Sequence, residues 1–465
     1  MDQSTIAAIA TPPGEGGIGV IRISGSDAAN IAGHVFRRAK TGRSVDLRTI
    51  ASHRLIFGRI IDLRDDRVVD EALLAWMAGP NTFTGEDTVE ISCHGGSVPV
   101  RETLRVCLQA GARHAEPGEF TLRAFLNGRL DLTQAEAVLN VVSARTGEGL
   151  RLAVADLRGG LTRRLEPASR AVISTLAFLD AAADFPEDEI PPSDIAADLA
   201  AAIAALADVM AGSWAGMLYR EGAQIALVGR PNAGKSSLMN ALLRTDRAIV
   251  TAIAGTTRDL ISESFNLQGI PATLIDTAGI TETNDPIERL GIARTRHALS
   301  AAAAGVLVLD GSTEPRNEDF EVARLMAGRL GEGAASAVIA VSKRDLEPRV
   351  DQSAVTSQLP GARVVHVSAM TGEGLPYLES ALAELFRGET ANQAQPALIT
   401  MRQHAALDRA LDHLGHAQAA RAAGVPLDLL ATDVRAALHA IGQVTGEAVD
   451  EAVLTEIFSR FCIGK

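Results

Sequence analysis

Hydrophobic and polar positions change period along this chain, and each change marks a different kind of segment. From Ile6 to about Phe120, short apolar runs such as GVIRIS and DTVEIS are separated by Gly, Pro and Asn turns, with one helical stretch near VRETLRVCLQAG. That mixture predicts an α+β domain over residues 1–121. From RAFLNGRLDLTQAEAVLNVVSA to about Trp214, apolar residues recur at helical spacing with few strand formers, which predicts a helical segment over 122–215. Inside it, the acidic ADFPEDEIPPSD of residues 183–194 reads as a turn, its prolines ending one helix and beginning another. Residues 216–386 alternate apolar strands (AQIALVG, ATLIDTAG, AGVLVLDG, AVIAVSK, RVVHVSA) with helical patterns, the signature of a parallel sheet wrapped by helices. Residues 387–465 return to helical spacing. If that last segment packs against the first helical tract, the α/β module is an insertion in a discontinuous helical domain. The expected fold class is therefore a multidomain α/β chain.

Composition narrows the setting. The chain has 465 residues, enough for two to four domains with separate cores. No stretch reads as an uninterrupted apolar span able to cross a bilayer, and the start MDQSTIAAIATPPGEGG lacks the basic and apolar regions of a signal peptide, so a cytoplasmic protein with no membrane span is expected. The three cysteines, Cys93, Cys107 and Cys462, suit a reducing compartment and are not in a zinc-binding spacing. Lys and Arg number 44 against 57 Asp and Glu, a formal charge of −13, so any contact with nucleic acid is expected to be local or shared with a partner.

The chemistry concentrates in the α/β segment. GRPNAGKS, Gly229 to Ser236, follows the strand AQIALV and precedes the helical SLMNALL, the setting in which a P-loop match carries meaning. Its glycines let backbone N–H groups converge on a β-phosphate, Lys235 neutralises β/γ charge, and the Ser236 hydroxyl suits Mg²⁺. Asn232, Ala233, Gly234 and Ser237 complete the phosphate loop. DTAG, comprising Asp276, Thr277, Ala278 and Gly279, ends a later strand, where the carboxylate reaches Mg²⁺ through water and the Gly279 amide faces the γ-phosphate. Between them lies a polar loop containing Thr251, Ala252, Ile253, Ala254, Gly255, Thr256 and Thr257, either threonine of its adjacent pair being able to complete the metal shell. SKRD, Ser342 to Asp345, stands where GTPases carry Asn-Lys-x-Asp. Asp345 would accept hydrogen bonds from guanine N1 and N2, and Lys343 accompanies it. Ser342 lacks the carboxamide that would bind guanine N7 and brace the P-loop, so weaker nucleotide binding is expected. SAMTGEGL closes the set, with Ser368 and Ala369 offering backbone to guanine O6. These elements, in this order, predict a P-loop GTPase.

Two further matches fail on context. GEGGIG, Gly14 to Gly19, fits a dinucleotide fingerprint but follows Pro-Pro and runs into a strand instead of opening a helix. SARTGEGL, Ser143 to Leu150, nearly repeats SAMTGEGL but follows a helical pattern with no P-loop upstream, and reads as a turn linking helices.

The flanks add TPPGEGGIGVIRISG, GPNTFTGEDTVEISCHGG, PGEFTLRAFLNGRLDLTQAEAV and the closing FCIGK. Together these closely resemble the MnmE (TrmE) family of tRNA modification GTPases, over the whole chain. The resemblance implies a homodimer that works with the flavoprotein MnmG (GidA), which carries the FAD, to place an aminomethyl or carboxymethylaminomethyl group on C5 of the wobble uridine, position 34, of certain tRNAs. It implies a folate-binding-like N-terminal domain, a Ras-like G domain inserted in the helical domain, and a tetrahydrofolate derivative, in 5-formyl or methylene form, as one-carbon donor. By motif match the folate contacts are Arg22, Glu90 and Arg129, with Lys465 nearby. Family members often have Lys where Arg129 stands, and either cation suits a carboxylate-bearing ligand, though with different geometry. Cys462 is implied as a nucleophile toward uridine C6 or as another chemical participant, a role that requires the thiolate. The hydrolysis mechanism implied is K⁺-dependent: Asn232, Thr251, Ile253 and Thr256 hold K⁺ where other GTPases place an arginine finger, Ser236 and Thr257 ligate Mg²⁺, and Glu288 orients water in place of the Gln absent after DTAG, with Lys235 completing the catalytic set.

Two other readings stand beside this one. A K⁺-stimulated switch in ribosome assembly would share PNxGKS and AGTTRD, but such proteins carry an added RNA-binding domain or basic extension. A nucleotide-gated scaffold without chemistry of its own differs only in whether folate and Cys462 matter.

Overall fold

The computed structural model describes residues 4–184, 194–244, 262–276, 299, 302–330, 337–387 and 395–464. The chain divides into two compact units. One comprises Met1–Leu139, Leu157–Thr162 and His439–Lys465; the other comprises Asn140–Asp156 and Arg163–Leu438.

The first unit is built on a seven-stranded sheet of order β3-β4-β5-β6-β2-β1-β7, whose strands are β1 (Ile6–Ile9), β2 (Gly16–Ser24), β3 (Phe36–Arg38), β4 (Arg54–Ile61), β5 (Val68–Met77), β6 (Thr88–Gly95) and β7 (Arg113–His114). All neighbours are antiparallel except β1 and β7. Period-2 alternation assigns the faces. Ile21 and Ile23 of β2, Leu74 of β5 and Ile91 of β6 are buried with Ile31, Val35, Leu104 and Cys107 of the helices Ala28–Val35 and Ser97–Gln109. Arg22, between the two isoleucines, points to the other face. The GEGGIG segment enters β2, as its context predicts, and the reason for Gly19 is packing: a Cβ there would lie 2.2 Å from Val100 Cγ2. On β4 and β5 the outward alternates Leu55, Phe57 and Leu73 are exposed, and Phe57 and Leu73 are cross-strand partners.

The C-terminal helix Glu451–Ser459 belongs to this unit. Its Leu454, Ile457 and Phe458, followed by Phe461, share a core with Ala124, Leu130 and Leu132. Gly118 (φ 69°) permits the approach, because a Cβ there would meet the Phe458 carbonyl oxygen at 2.5 Å.

The second unit holds a six-stranded sheet of order β13-β12-β11-β8-β10-β9, with β8 (Ala223–Val228), β9 (Ser262–Leu267), β10 (Ile270–Asp276), β11 (Ala304–Asp310), β12 (Ala337–Ser342) and β13 (Arg363–His366). Buried on both faces, β11 and β12 are continuous apolar runs, as parallel central strands require. The sheet is not wholly parallel, in correction of the expectation: β9 pairs antiparallel with β10. Its SESFNL pattern carries too few apolar residues to signal a strand, and a two-residue turn makes the hairpin. Leu267 pairs with Ile270, and Gln268 (φ 49°) and Gly269 (φ 98°) between them take the left-handed conformations that such a turn needs.

Helices complete this unit. The turn expected at SARTGEGL is confined to residues 144–146, since Ser143 ends the helix Leu132–Ser143 and the last four residues of the motif open the helix Gly147–Leu157. The helix Met401–Ala422 starts with a reciprocal capping box between Thr400 and Gln403 and lies along Ile195–Ala211, itself capped by Asp194. The expectation that no stretch could span a bilayer is corrected on one point: Ile195–Glu221 is long and apolar enough by length and composition. Its alanines raise the hydropathy without forming an uninterrupted apolar run, since Asp198 and Asp208 interrupt the first helix. The buried stripe Leu199, Ala202, Leu206 and Val209 is that of a helix packed on a protein neighbour.

Candidate nucleotide and folate sites

The phosphate loop leaves the C-terminal end of β8 at Gly229 and closes where the helix Lys235–Arg244 begins. Its backbone alternates through left-handed positions, Asn232 at φ 62° and Gly234 at φ 99°, which turns successive N–H groups inward as an anion nest. Gly229 is held by its surroundings: at φ 153°, a Cβ would meet the Val308 carbonyl oxygen at 2.5 Å. Lys235 is buried and its Nζ donates to the carbonyls of Gly229 (2.8 Å) and Arg230 (2.9 Å). The ammonium thus lies along the loop with its charge already desolvated, where a phosphate oxygen can replace a carbonyl as acceptor.

Ser342 corrects the expectation of a lost brace. Its buried hydroxyl lies 2.6 Å from the Ala233 carbonyl and 3.0 Å from that of Leu309, so it ties the P-loop to the end of the guanine strand with the shorter side chain. The contact to guanine N7 that a carboxamide would make has no counterpart in a hydroxyl. Asp345 is oriented from the side: the Ser368 hydroxyl donates to its Oδ1 at 2.6 Å, and Ser368 is fixed by its own N–H to the Glu373 carbonyl and by the Thr371 N–H at its Oγ. Asp345, Ser368 and Ala369 therefore belong to one loop system, as SKRD and SAMTGEGL predict.

Sequence reasoning missed the ionic frame under this site. Arg230, the second residue of the P-loop motif, is buried and faces Asp310 (3.4 Å) and Asp319 (3.3 Å), and Lys343 Nζ donates to Asp310 at 2.7 Å. Burial pushes the Asp310 carboxyl up, but hydrogen bonds from Lys343 and Ser312 outweigh it and hold the group below its ordinary range. Burial keeps Asp319 above its ordinary range despite Arg230. The available signal was a charged residue ending each of two apolar runs, Arg230 after IALVG and Asp310 after VLVL.

Other predicted site residues fall elsewhere. Asp276 is the last residue of β10. Thr251, Ala252, Ile253, Ala254, Gly255, Thr256, Thr257, Thr277, Ala278, Gly279, Glu288 and Lys465 lie outside the described residues.

In the first unit, Arg22 and Glu90 are opposite one another across β2 and β6. Arg22 Nε and Nη2 each lie 2.9 Å from Glu90 Oε1, and Nη1 donates to the Gly464 carbonyl at 3.4 Å. The rings of Phe83 and Phe120 each stand 5.7 Å from the guanidinium carbon. The C-terminal peptide is seated here by Gly464 (φ 97°), where a Cβ would lie 2.2 Å from the Ile9 carbonyl oxygen. Cys462 is exposed between buried Phe461 and that anchor. The other thiols are buried: burial pushes Cys107 up to about 12 and also raises Cys93, which leaves both poor nucleophiles. Arg129 stands exposed in the turn after the helix Glu119–Leu126, and among the described residues no hydrogen bond or ion pair joins it to Arg22 and Glu90.

Comparison with known proteins gives two family matches. The family described as GTP-binding protein TrmE N-terminus matches residues 5–129, and the MnmE helical domain matches residues 132–462. The tRNA modification GTPase MnmE of Roseiflexus castenholzii is 47% identical over 476 residues, covering 100% of both chains. That of Heliobacterium modesticaldum is 48% identical over 475 residues, again with 100% of both covered. Among solved structures, the G domain of the T. maritima FeoB iron transporter aligns at 27% identity with 35% of this chain and 98% of its own, at a TM-score of 0.27, too low to bear on the fold. The chain belongs to the MnmE family of tRNA modification GTPases, hydrolases of GTP that act in tRNA modification.

Proposed function

We propose that the chain is a K⁺-dependent, homodimeric GTPase that works with the flavoprotein MnmG to add an aminomethyl or carboxymethylaminomethyl group to C5 of the wobble uridine of certain tRNAs in the cytoplasm. The carbon comes from a tetrahydrofolate derivative. The observation that carries this reading is the Arg22–Glu90 pair joined to the Gly464 carbonyl, two residues beyond an exposed thiol, on a chain that also builds a guanine-nucleotide cradle.

The donor set suits a folate. A pteridine offers N–H donors to Glu90, which Arg22 holds in place, and a glutamate tail offers carboxylates to an exposed cation such as Arg129. The half-buried ring of Phe83 beside the Arg22 guanidinium favours a flat ligand, while the fully buried Phe120 backs the guanidinium from the core. On the nucleotide side, Lys235 is the phosphate cation, Ser236 with Thr257 holds Mg²⁺, and Asn232 with Thr251, Ile253 and Thr256 holds K⁺, with Glu288 positioning water. A folate-binding domain over 1–121, helical parts at 122–215 and 387–465 and a G domain at 216–386 complete the assignment. The exposed apolar alternates Leu55, Phe57 and Leu73 support a self-associating N-terminal domain.

Reconstitution tests this reading: purified chain, MnmG, tRNA, GTP and methylene-tetrahydrofolate, with nucleosides analysed by mass spectrometry in K⁺ or Na⁺. Modified uridine should form in K⁺, fail without folate, and fall sharply in Na⁺. Equal product in both salts would remove the K⁺ assignment, and product without folate would remove the donor assignment.

A further inference from the structure

The helices Met401–Ala422 and Leu427–Thr445 follow one another through a four-residue connection, a geometry that sets them antiparallel as a hairpin. His413 and His416, three residues apart, stand on one side of the first helix, and Asp433 comes from the second. One ligand atom from each of the three lies within 4.8 Å of the other two. His413 Nδ1 and Asp433 Oδ1 are 3.2 Å apart, and the two imidazole centroids are 6.5 Å apart with their planes at 82°.

We propose that His413, His416 and Asp433 form a site for one divalent transition cation, Zn²⁺ being the ion that best suits two imidazoles and a carboxylate. With metal–ligand bonds of about 2.0–2.1 Å, tetrahedral ligand atoms sit about 3.4 Å apart. The His413–Asp433 distance already meets that spacing, and His416, being exposed, closes the remaining gap by rotating its side chain. Partial exposure of His413 and Asp433 lets the ion enter from solvent. A pair of His413 and Asp433 alone would leave His416 without a reason to converge on them. Three protein ligands leave a fourth position for water. The donors are nitrogen and oxygen, which distinguishes this site from a thiolate site at Cys462 and from the all-oxygen Mg²⁺ site expected at bound nucleotide. An ion held here ties the two arms of the hairpin together.

Equilibrium dialysis of the full chain against Zn²⁺, without nucleotide or Mg²⁺ and with bound metal counted by inductively coupled plasma mass spectrometry, tests the site. One Zn²⁺ per chain is expected, with His416→Ala and Asp433→Asn each weakening it by about tenfold or more. His416 is exposed, so its substitution leaves the fold intact, and unchanged GTP hydrolysis checks this. The Co²⁺-loaded chain should show d–d absorption without a thiolate charge-transfer band. Equal zinc content and affinity in wild type and His416→Ala, or zinc lost in Cys462→Ser but kept in His416→Ala, would overturn the proposal.

Discussion

Ser342 shows how one side chain can replace another by reaching the same partner from a different length. Its hydroxyl meets the buried Ala233 carbonyl, so Ser342→Ala leaves that acceptor unpaired at a cost of about 1–3 kcal/mol. The P-loop should loosen and GDP should bind about tenfold more weakly in a fluorescent-nucleotide titration. Unchanged affinity would mean that the loop is held by the Arg230–Asp310–Asp319 frame alone. A second residue-scale prediction concerns Asp156, whose carboxyl burial pushes up to about 6 against the opposing effects of Arg164 and the Leu398 backbone. The unfolded value is near 3.9, so between about pH 4 and pH 6 the folded state binds more protons and stability falls as pH rises. Asp156→Asn should flatten that part of the stability–pH curve and raise the midpoint of thermal unfolding at pH 7.5. A variant that unfolds earlier at pH 7.5 would show the carboxylate to be favourably paired instead.

At the scale of elements, the C-terminal peptide is the piece whose placement matters most. Helix Glu451–Ser459 docks through Phe458 and Phe461, and Gly464 itself packs against the end of β1 at Ile9, close enough for Arg22 to reach the Gly464 carbonyl. Gly464→Ala forces a Cβ into the Ile9 carbonyl oxygen and a side chain into a conformation that L residues avoid. It should lift the tail, reduce uridine modification about tenfold or more, and leave intrinsic GTP hydrolysis within about twofold. Loss of hydrolysis to the same degree would contradict a local role for the tail. The strands with apolar runs were legible here because burial on both faces writes itself as unbroken Val, Ile, Leu and Ala. The edge strand β9 was not, since SESFNL is solvated on one side and depends on the Gln268–Gly269 turn and the β10 partner for its identity.

On the whole molecule, the family and its chemistry were written in contiguous motifs, because loops that hold phosphates and guanine need particular residues at fixed spacing. The P-loop, SKRD and SAMTGEGL are therefore legible in the sequence. What sequence could not give was pairing at long range: Arg230 with Asp319, Ser342 with Ala233, and Arg22 with a carbonyl 442 positions later in the chain. The formal charge of −13 also belongs to this scale, since it argues that tRNA is gripped locally or together with a partner. The central claim, that this chain serves wobble-uridine modification, is tested most directly by mass spectrometry of nucleosides from total tRNA in cells lacking the gene, with and without a plasmid copy. The account predicts loss of the aminomethyl derivatives of wobble uridine and their return with the plasmid. An unchanged nucleoside profile would contradict it.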